Sequence, residues 1–340
     1  MIHFWNFLRT LPISHEQSER HRPYPPDSSL QAQAGSIEAY LDVCRRRVEA
    51  ARTDLDEKRA AWIVEGNSPF VFKPDSKDKP RRGILMVHGL SDSPFMMRDL
   101  ARFFQQQGFY VLAMQLPGHG TRPGDLLEVR WQDWAGAHQR LLELLTAEVD
   151  DVYLLGFSAG ATLSLYQSMR NSSIKGLFLF APALRISAMA QLAGPLSYFG
   201  KWWQRFSWFE LQPDSDYFKY ESLANRAIGE VYEMIKAVER LATLVERHLP
   251  VFVAASENDV AVDSRAILDW FSRQQGLPKR MLYYSTGHPQ LPEKVKLVPA
   301  HLPDQNIKSF SHTALMQSPS NPHYGKQGEH CFCTHYYHLD

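Results

Sequence analysis

Residues 151–160 read DVYLLGFSAG, and the rest of the chain is best understood outward from them. Val152, Tyr153, Leu154 and Leu155 form a short apolar run of the kind that makes a buried strand. Gly156-Phe157-Ser158-Ala159-Gly160 then fits the pattern Gly-x-Ser-x-Gly, and residues 161–169 read as a helix. Strand, sharp turn and helix is the setting in which this pentapeptide pushes a serine hydroxyl out of a sheet edge. So tight a turn strains the backbone, and side chains two positions before and after the serine would collide. Glycine at 156 and 160 removes that collision. The N–H of Ala159 opens the helix and is free to stabilise an oxyanion. Ser158 is therefore the candidate nucleophile; the plainer alternative is a Gly-Ser turn between strand and helix.

The flanking chain repeats the same alternation. Upstream, GILMV at 83–87 and FYVLAM at 109–114 are apolar runs of strand length, separated by an amphipathic helical pattern over 95–107. A second helical pattern, over 131–148, leads into the 152–155 run. Downstream, LFLF at 177–180, VFVAA at 251–255 and residues 280–284 supply further strands, with a helix over 264–275. Residues 67–72 predict an early edge strand and 307–310 a late one. Strands alternating with helices predict an α/β fold: a mostly parallel central sheet with helices on both faces.

Residues 184–249 interrupt that pattern. They hold an unusual density of aromatics, among them Trp202, Trp203, Trp208, Phe209, Phe218 and Tyr220, and then a long helical pattern over 221–248. Lying between two strands, they predict an inserted helical, aromatic cap over the carboxyl edge of the sheet, where parallel sheets bind ligands. Three parts follow: an N-terminal arm and helix (1–66), a core with its C-terminal tail (67–183 and 250–340), and the cap (184–249). Within the first part, residues 36–55 read as a helix capped by Ser36, while Phe4, Trp5 and Phe7 form an aromatic patch suited to docking on the body.

A serine nucleophile needs a base within hydrogen-bond reach and a carboxylate to hold that base's tautomer. In this architecture the order along the chain is serine, acid, histidine. Asp259, just after the VFVAA strand, fits the acid; Glu257 and Asp263 have weaker claims, Asp263 being placed to cap the following helix. Two histidines compete for the base. His288 directly follows the strand after the acid, whereas His312 follows the later candidate strand. Pro289 and Pro292 prevent a closing helix after His288 and favour a loop that runs on, so His312 is preferred and His288 is the alternative. Leu90, after His88-Gly89 at the end of the GILMV strand, is placed to give a second oxyanion N–H beside Ala159. His88 and His119 read as structural.

With these residues in view, the runs GILMVHGLSDSPFMMRDLARFF, LPGHGTRPGDLLEVRWQDW and LLGFSAG resemble the serine hydrolases of the α/β-hydrolase fold. Within that superfamily the chain is most similar to the bacterial carboxylesterase and monoacylglycerol-lipase-like branch. The resemblance covers residues 67–181, and 250–263 through their strand-plus-acid pattern. It implies hydrolysis of acyl esters through an acyl-enzyme, with Ser158, Asp259 and a late histidine as the catalytic set and Leu90 and Ala159 as oxyanion donors. The expected partner is a small-molecule acyl ester with an apolar acyl or alcohol group, and no cofactor is expected. Acyl transfer or amide cleavage on the same residues, and a non-catalytic ligand-binding homologue, are the alternatives.

Composition narrows the rest. Lys+Arg 37 against Asp+Glu 37 leaves no net charge, which gives no footing for nucleic acid. No apolar run reaches the roughly 18 residues needed to span a bilayer. Three cysteines, Cys44, Cys331 and Cys333, are too few for a disulfide framework, so a cytoplasmic home is the expectation. The run His330-Cys331-x-Cys333-x-His335-x-x-His338 has metal-ligand residue types, but Cys-x-Cys is a tight spacing and no second half accompanies it. The expectation there is a packed or loose tail without metal. Oligomeric state is not legible.

Overall fold

The computed structural model describes residues 18–25, 34–75, 80–186, 192–200, 206–244, 249–274, 276 and 278–331. The Phe4-Trp5-Phe7 patch, Trp202, Trp203, Cys333, His335 and His338 lie outside them. Helix α1 (Ile37–Ala51) starts where the Ser36 hydroxyl accepts from Ala39 N–H at 3.1 Å. It buries Ile37, Tyr40, Cys44 and Val48 at helical spacing. A short helix not expected from the sequence, α2 (Ala60–Asn67), precedes the edge strand β1 (Phe70–Phe72).

The core then alternates as expected: β2 (Arg82–Val87), α3 (Arg98–Gln106), β3 (Phe109–Met114), α4 (Trp131–Glu148), β4 (Asp151–Phe157), α5 (Ala159–Arg170) and β5 (Ile174–Phe180). Before α3 the chain makes a 3-10 turn at Pro94–Met97 rather than continuing one helix. After an insertion come β8 (Val251–Ser256), α8 (Ser264–Arg273), β9 (Lys279–Ser285) and β10 (Val295–Pro299). These strands form one eight-stranded sheet in the order β1-β3-β2-β4-β5-β8-β9-β10. All neighbours are parallel except β1, which runs antiparallel to β3. Residues 307–310 do not form the expected late strand. Ile307 makes only an isolated bridge with Leu302, and the sheet is extended instead by β10, in parallel register with β9.

Register decides where the site sits. Val87 of β2 lies opposite both Met114 of β3 and Gly156 of β4, so three strands end level and their following loops share one edge. Between β5 and β8 the chain inserts α6 (Ala193–Phe199), β6 (Trp208–Glu210), β7 (Leu223–Ala224) and α7 (Asn225–Ala242). Helix α7 is shorter than the 221–248 pattern predicted; residues 245–248 lie outside the described residues. It packs on α5, and β6 pairs with β7. Trp208, Phe218 and Tyr220 of the insertion are buried in the main core. The described end of the arm meets this insertion: buried His21 reaches Asp214 Oδ2 at 3.0 Å and Ser222 Oγ at 3.2 Å.

Candidate active site

At the carboxyl end of β4, Ser158 has φ +54° and ψ −120°, a conformation that costs a non-glycine residue energy and persists only when its surroundings impose it. Those surroundings are explicit. Ser158 N–H donates to the Phe180 carbonyl at 2.9 Å, and its own carbonyl accepts from Ala161 and Ala183 N–H at 3.0 and 3.2 Å. The flanking glycines are sterically required. A Cβ at 156 would lie 2.3 Å from the Gly160 carbonyl oxygen, and one at 160 would lie 2.4 Å from the carbonyl oxygens of Val87 and His88. Gly160 thus lets α5 start directly against the end of β2.

The Ser158 Oγ is 2.9 Å from His312 Nε2, and His312 Nδ1 is 2.7 Å from Asp259 Oδ2. Asp259 follows β8, and its side chain is almost wholly buried. Its other oxygen, Oδ1, accepts from Ala261 N–H at 2.8 Å and Val262 N–H at 3.0 Å, which fixes the carboxylate. His312 opens a 3-10 turn, and its ring lies 4.7 Å from that of Phe157. One step before the turn, Ser256 Oγ of β8 donates to the Phe310 carbonyl and ties the tail to the sheet. His288 is exposed after β9 and is not brought to Ser158 or Asp259 among the described contacts. Of the lesser acids, Glu257 accepts from Ser285 Oγ, and Asp263 caps α8 by accepting from Arg265 and Ala266 N–H.

Leu90 and Ala159 line the same cavity as Ser158. Ala159 is the first residue of α5, so its N–H has no partner within the helix. Gly89 brings the β2 loop against the serine: a Cβ there would be 3.1 Å from that of Ser158. His88 is a structural tie, as read from the sequence. Its Nε2 accepts from Leu116 N–H at 3.1 Å, which leaves Nδ1–H to donate to the Gly89 carbonyl at 2.8 Å. Burial pushes this imidazole down to about 4, and His119, also buried, to about 3, so both are neutral at pH 7.

The cavity, of about 590 Å³, has walls from Ala183, Ile186, Phe209, Leu223, Ile228 and Val231, and Val260 stands exposed among its lining residues. A polar feature not read from the sequence crosses one wall. Lys219 Nζ lies 2.5 Å from Asp92 Oδ1 and 3.1 Å from Ser91 Oγ, and Tyr220 N–H donates to the Ser91 carbonyl at 2.7 Å. The insertion is thereby fastened to the loop that carries Leu90. A lone lysine in the run Tyr217-Phe218-Lys219-Tyr220 was the available signal, but its partner is 127 positions away.

Known proteins agree with this architecture. The chain shares 32% identity over 128 residues with the thermostable monoacylglycerol lipase of Bacillus sp. (strain H-257), covering 38% of this chain and 49% of that protein, about half its length. It shares 22% over 223 residues with the carboxylesterase of Bacillus subtilis (strain 168), covering 65% and 87%. Among solved structures, a metagenome-derived lipolytic enzyme superposes with TM-score 0.52 at 19% identity, covering 74% of this chain and 91% of that one. The Paleococcus ferrophilus monoacylglycerol lipase gives 0.51 at 18%, covering 64% and 88%. At such identities these two structures speak for the fold. No helix among the described residues is long and apolar enough to cross a membrane. The family described as serine aminopeptidase, S33, matches residues 78–291, a span that takes in Ser158 and Asp259 and stops short of His312; the chain belongs to that family and has the α/β-hydrolase fold.

Proposed function

We propose that this chain hydrolyses carboxylic esters through an acyl-enzyme on Ser158. The observation that carries this reading is the continuous hydrogen-bonded line from Ser158 through His312 to Asp259 at the wall of an apolar cavity. His312 Nε2 takes the hydroxyl proton as Oγ attacks the acyl carbon, while Asp259 holds Nδ1–H and stabilises the imidazolium. The N–H groups of Leu90 and Ala159 receive the charge that develops on the carbonyl oxygen. The imidazolium then protonates the departing alcohol, and water repeats the sequence to release the acid. The aliphatic and aromatic walls favour an apolar acyl or alcohol group, in line with relatives named monoacylglycerol lipase and carboxylesterase.

The family description names an aminopeptidase, which would have to hold a substrate's α-ammonium group. The acids lining the cavity are each engaged: Asp92 by Lys219, Glu210 by Gln212 Nε2 and Glu221 by Ser215 N–H. The pairing of Asp92 with Lys219 and the mostly apolar walls favour the ester over the peptide. The test is turnover of short and medium p-nitrophenyl esters by wild type, Ser158→Ala, His312→Ala and His288→Ala, each checked for folding. The first two variants should lose at least about 10³-fold in kcat, and His288→Ala should stay within about threefold. An active Ser158→Ala, or loss confined to His288→Ala, would overturn the assignment.

A further inference from the structure

After His312 the described residues run back across the molecule to the insertion. Asn321 anchors it: Nδ2 donates to Asp99 Oδ2 at 2.9 Å, and Oδ1 accepts from His323 and Tyr324 N–H at 2.9 and 3.0 Å. A tight loop follows, closed by His330 N–H donating to the His323 carbonyl at 2.9 Å. Gly328 is required there, since a Cβ would lie 2.2 Å from that same carbonyl oxygen. The loop sets the His323 and His330 rings 4.7 Å apart, with Asp216 of the insertion beside them.

We propose that Asp216, His323 and His330 form a divalent-metal site, of a zinc-like cation, that fastens the C-terminal strap to the insertion. One donor atom from each of the three lies within 4.8 Å of the other two. Tetrahedral zinc with bonds of about 2.0–2.1 Å places its ligands about 3.3 Å apart, so a modest inward movement of the half-buried His330 completes the geometry. Two of the three donors are already in place. His323 is fully buried and its Nε2 lies 2.9 Å from Asp216 Oδ1, so these two donor atoms already face each other and a cation would take the place of the proton between them. Asp216 is itself positioned, since the Tyr324 hydroxyl donates to its carboxylate at 2.9 Å. Two imidazoles with a carboxylate suit zinc better than magnesium or calcium. The tail run alone gave no second half for a site. Asp216 and His323 supply one.

The consequence is mechanical. His323 packs at 4.8 Å against the ring of Phe218, which stacks on Phe95 at 4.0 Å and precedes Lys219 of the cavity wall. A metal here joins the strap that carries His312 to the wall that carries Lys219.

The experiment uses the full chain, stripped with chelator and titrated with zinc, with metal content measured after desalting and thermal midpoint followed in parallel. Expected is one equivalent of zinc retained per chain and a midpoint raised by a few degrees at zinc about 100-fold above Kd, reversed by chelator. His330→Ala, at a half-exposed position that tolerates truncation, should fold, lose the equivalent and lose the zinc-dependent shift. A Cys333→Ser/His335→Ala variant should still show the shift. No retained metal in wild type, a midpoint indifferent to zinc and chelator, or retention that survives His330→Ala would each overturn the proposal.

Discussion

His312 Nε2 stands 2.9 Å from Ser158 Oγ, across 154 positions of chain. Nothing in the local sequence of either residue holds that distance. It is set by Asp259 on the far side of the imidazole, by the Phe157 ring against its face, and by the Ser256 hydroxyl on the Phe310 carbonyl just upstream.

Asp259→Asn isolates the middle of that line. The amide oxygen can keep the Ala261 and Val262 N–H groups, which turns its NH2 toward His312 Nδ1. Nδ1 can then only accept, so the proton moves to Nε2 and the ring no longer accepts from Ser158. We expect kcat for ester hydrolysis to fall on the order of 10³–10⁴-fold while the protein remains folded. Activity within tenfold of wild type would remove Asp259 from the mechanism.

Gly160→Ala tests the elbow itself. Its new methyl would meet two backbone oxygens, of Val87 and His88, which cannot swing aside as a side chain could. Destabilisation of at least about 1–3 kcal/mol and loss of turnover are expected. Gly136→Ala is the matched control, because it lies exposed within α4 with no atom within 4 Å of the added Cβ. There alanine should stabilise by about 0.5–1 kcal/mol. Chemical denaturation of both variants decides it; equal midpoints would mean the elbow has room.

Why Ser158 was legible and Lys219 was not follows from range. The constraint on Gly156 and Gly160 acts within five residues, so it is written in one pentapeptide. The candidate acid, Asp259, likewise sits next to its strand, and the preference for His312 over His288 rests on Pro289 and Pro292 blocking a helix. Pairs such as Lys219–Asp92 and His323–Asp216 exist only because the insertion folds back over the core, and no local pattern announces them. The late strand was misplaced for a related reason. VKLVP and IKSF are both short and weakly apolar; pairing with β9 chooses the first, while the Phe310 carbonyl is captured by Ser256. Helix α2 is harder to read because it spans only Ala60–Asn67 and is preceded by Arg59, a residue type that gives no capping signal.

The Lys219–Asp92 pair should be worth measurable stability. Asp92 is 1% exposed in its side chain and Lys219 25%, so removing the lysine strands a buried carboxylate. Lys219→Met is expected to cost about 2–3 kcal/mol, less than for a fully buried pair because water reaches the ammonium. Adding Asp92→Asn should recover most of that loss. A double-mutant cycle by urea denaturation reads the coupling directly, and a value under about 0.5 kcal/mol would reduce the pair to a surface contact.

The last expectation concerns acid. In the unfolded chain a histidine titrates near 6.5. Burial pushes His88 down to about 4, and His119 and His138 to about 3. Between those values and 6.5 the unfolded state binds protons that the folded state refuses. The stability these neutral imidazoles allow is therefore complete above pH 6.5 and drains as pH falls toward 4, on the order of 2 kcal/mol per histidine by pH 5. Burial pushes the carboxyls of Asp54, Asp214 and Asp216 up, but their hydrogen bonds outweigh it and hold all three below the usual value of 3.8, so their loss comes at lower pH. His138, inside α4, separates the histidine effect from general acid sensitivity, because neither of its ring nitrogens has a partner among the described residues. His138→Leu keeps the volume and removes both unpaired nitrogens, so it should stabilise the protein by about 1 kcal/mol at pH 7 and more at pH 5. Urea midpoints at pH 8, 6.5 and 5 for wild type and variant measure this. A wild-type and a variant curve that fall in parallel from pH 6.5 to 5 would show that His138 is protonated, or solvated, in the folded chain.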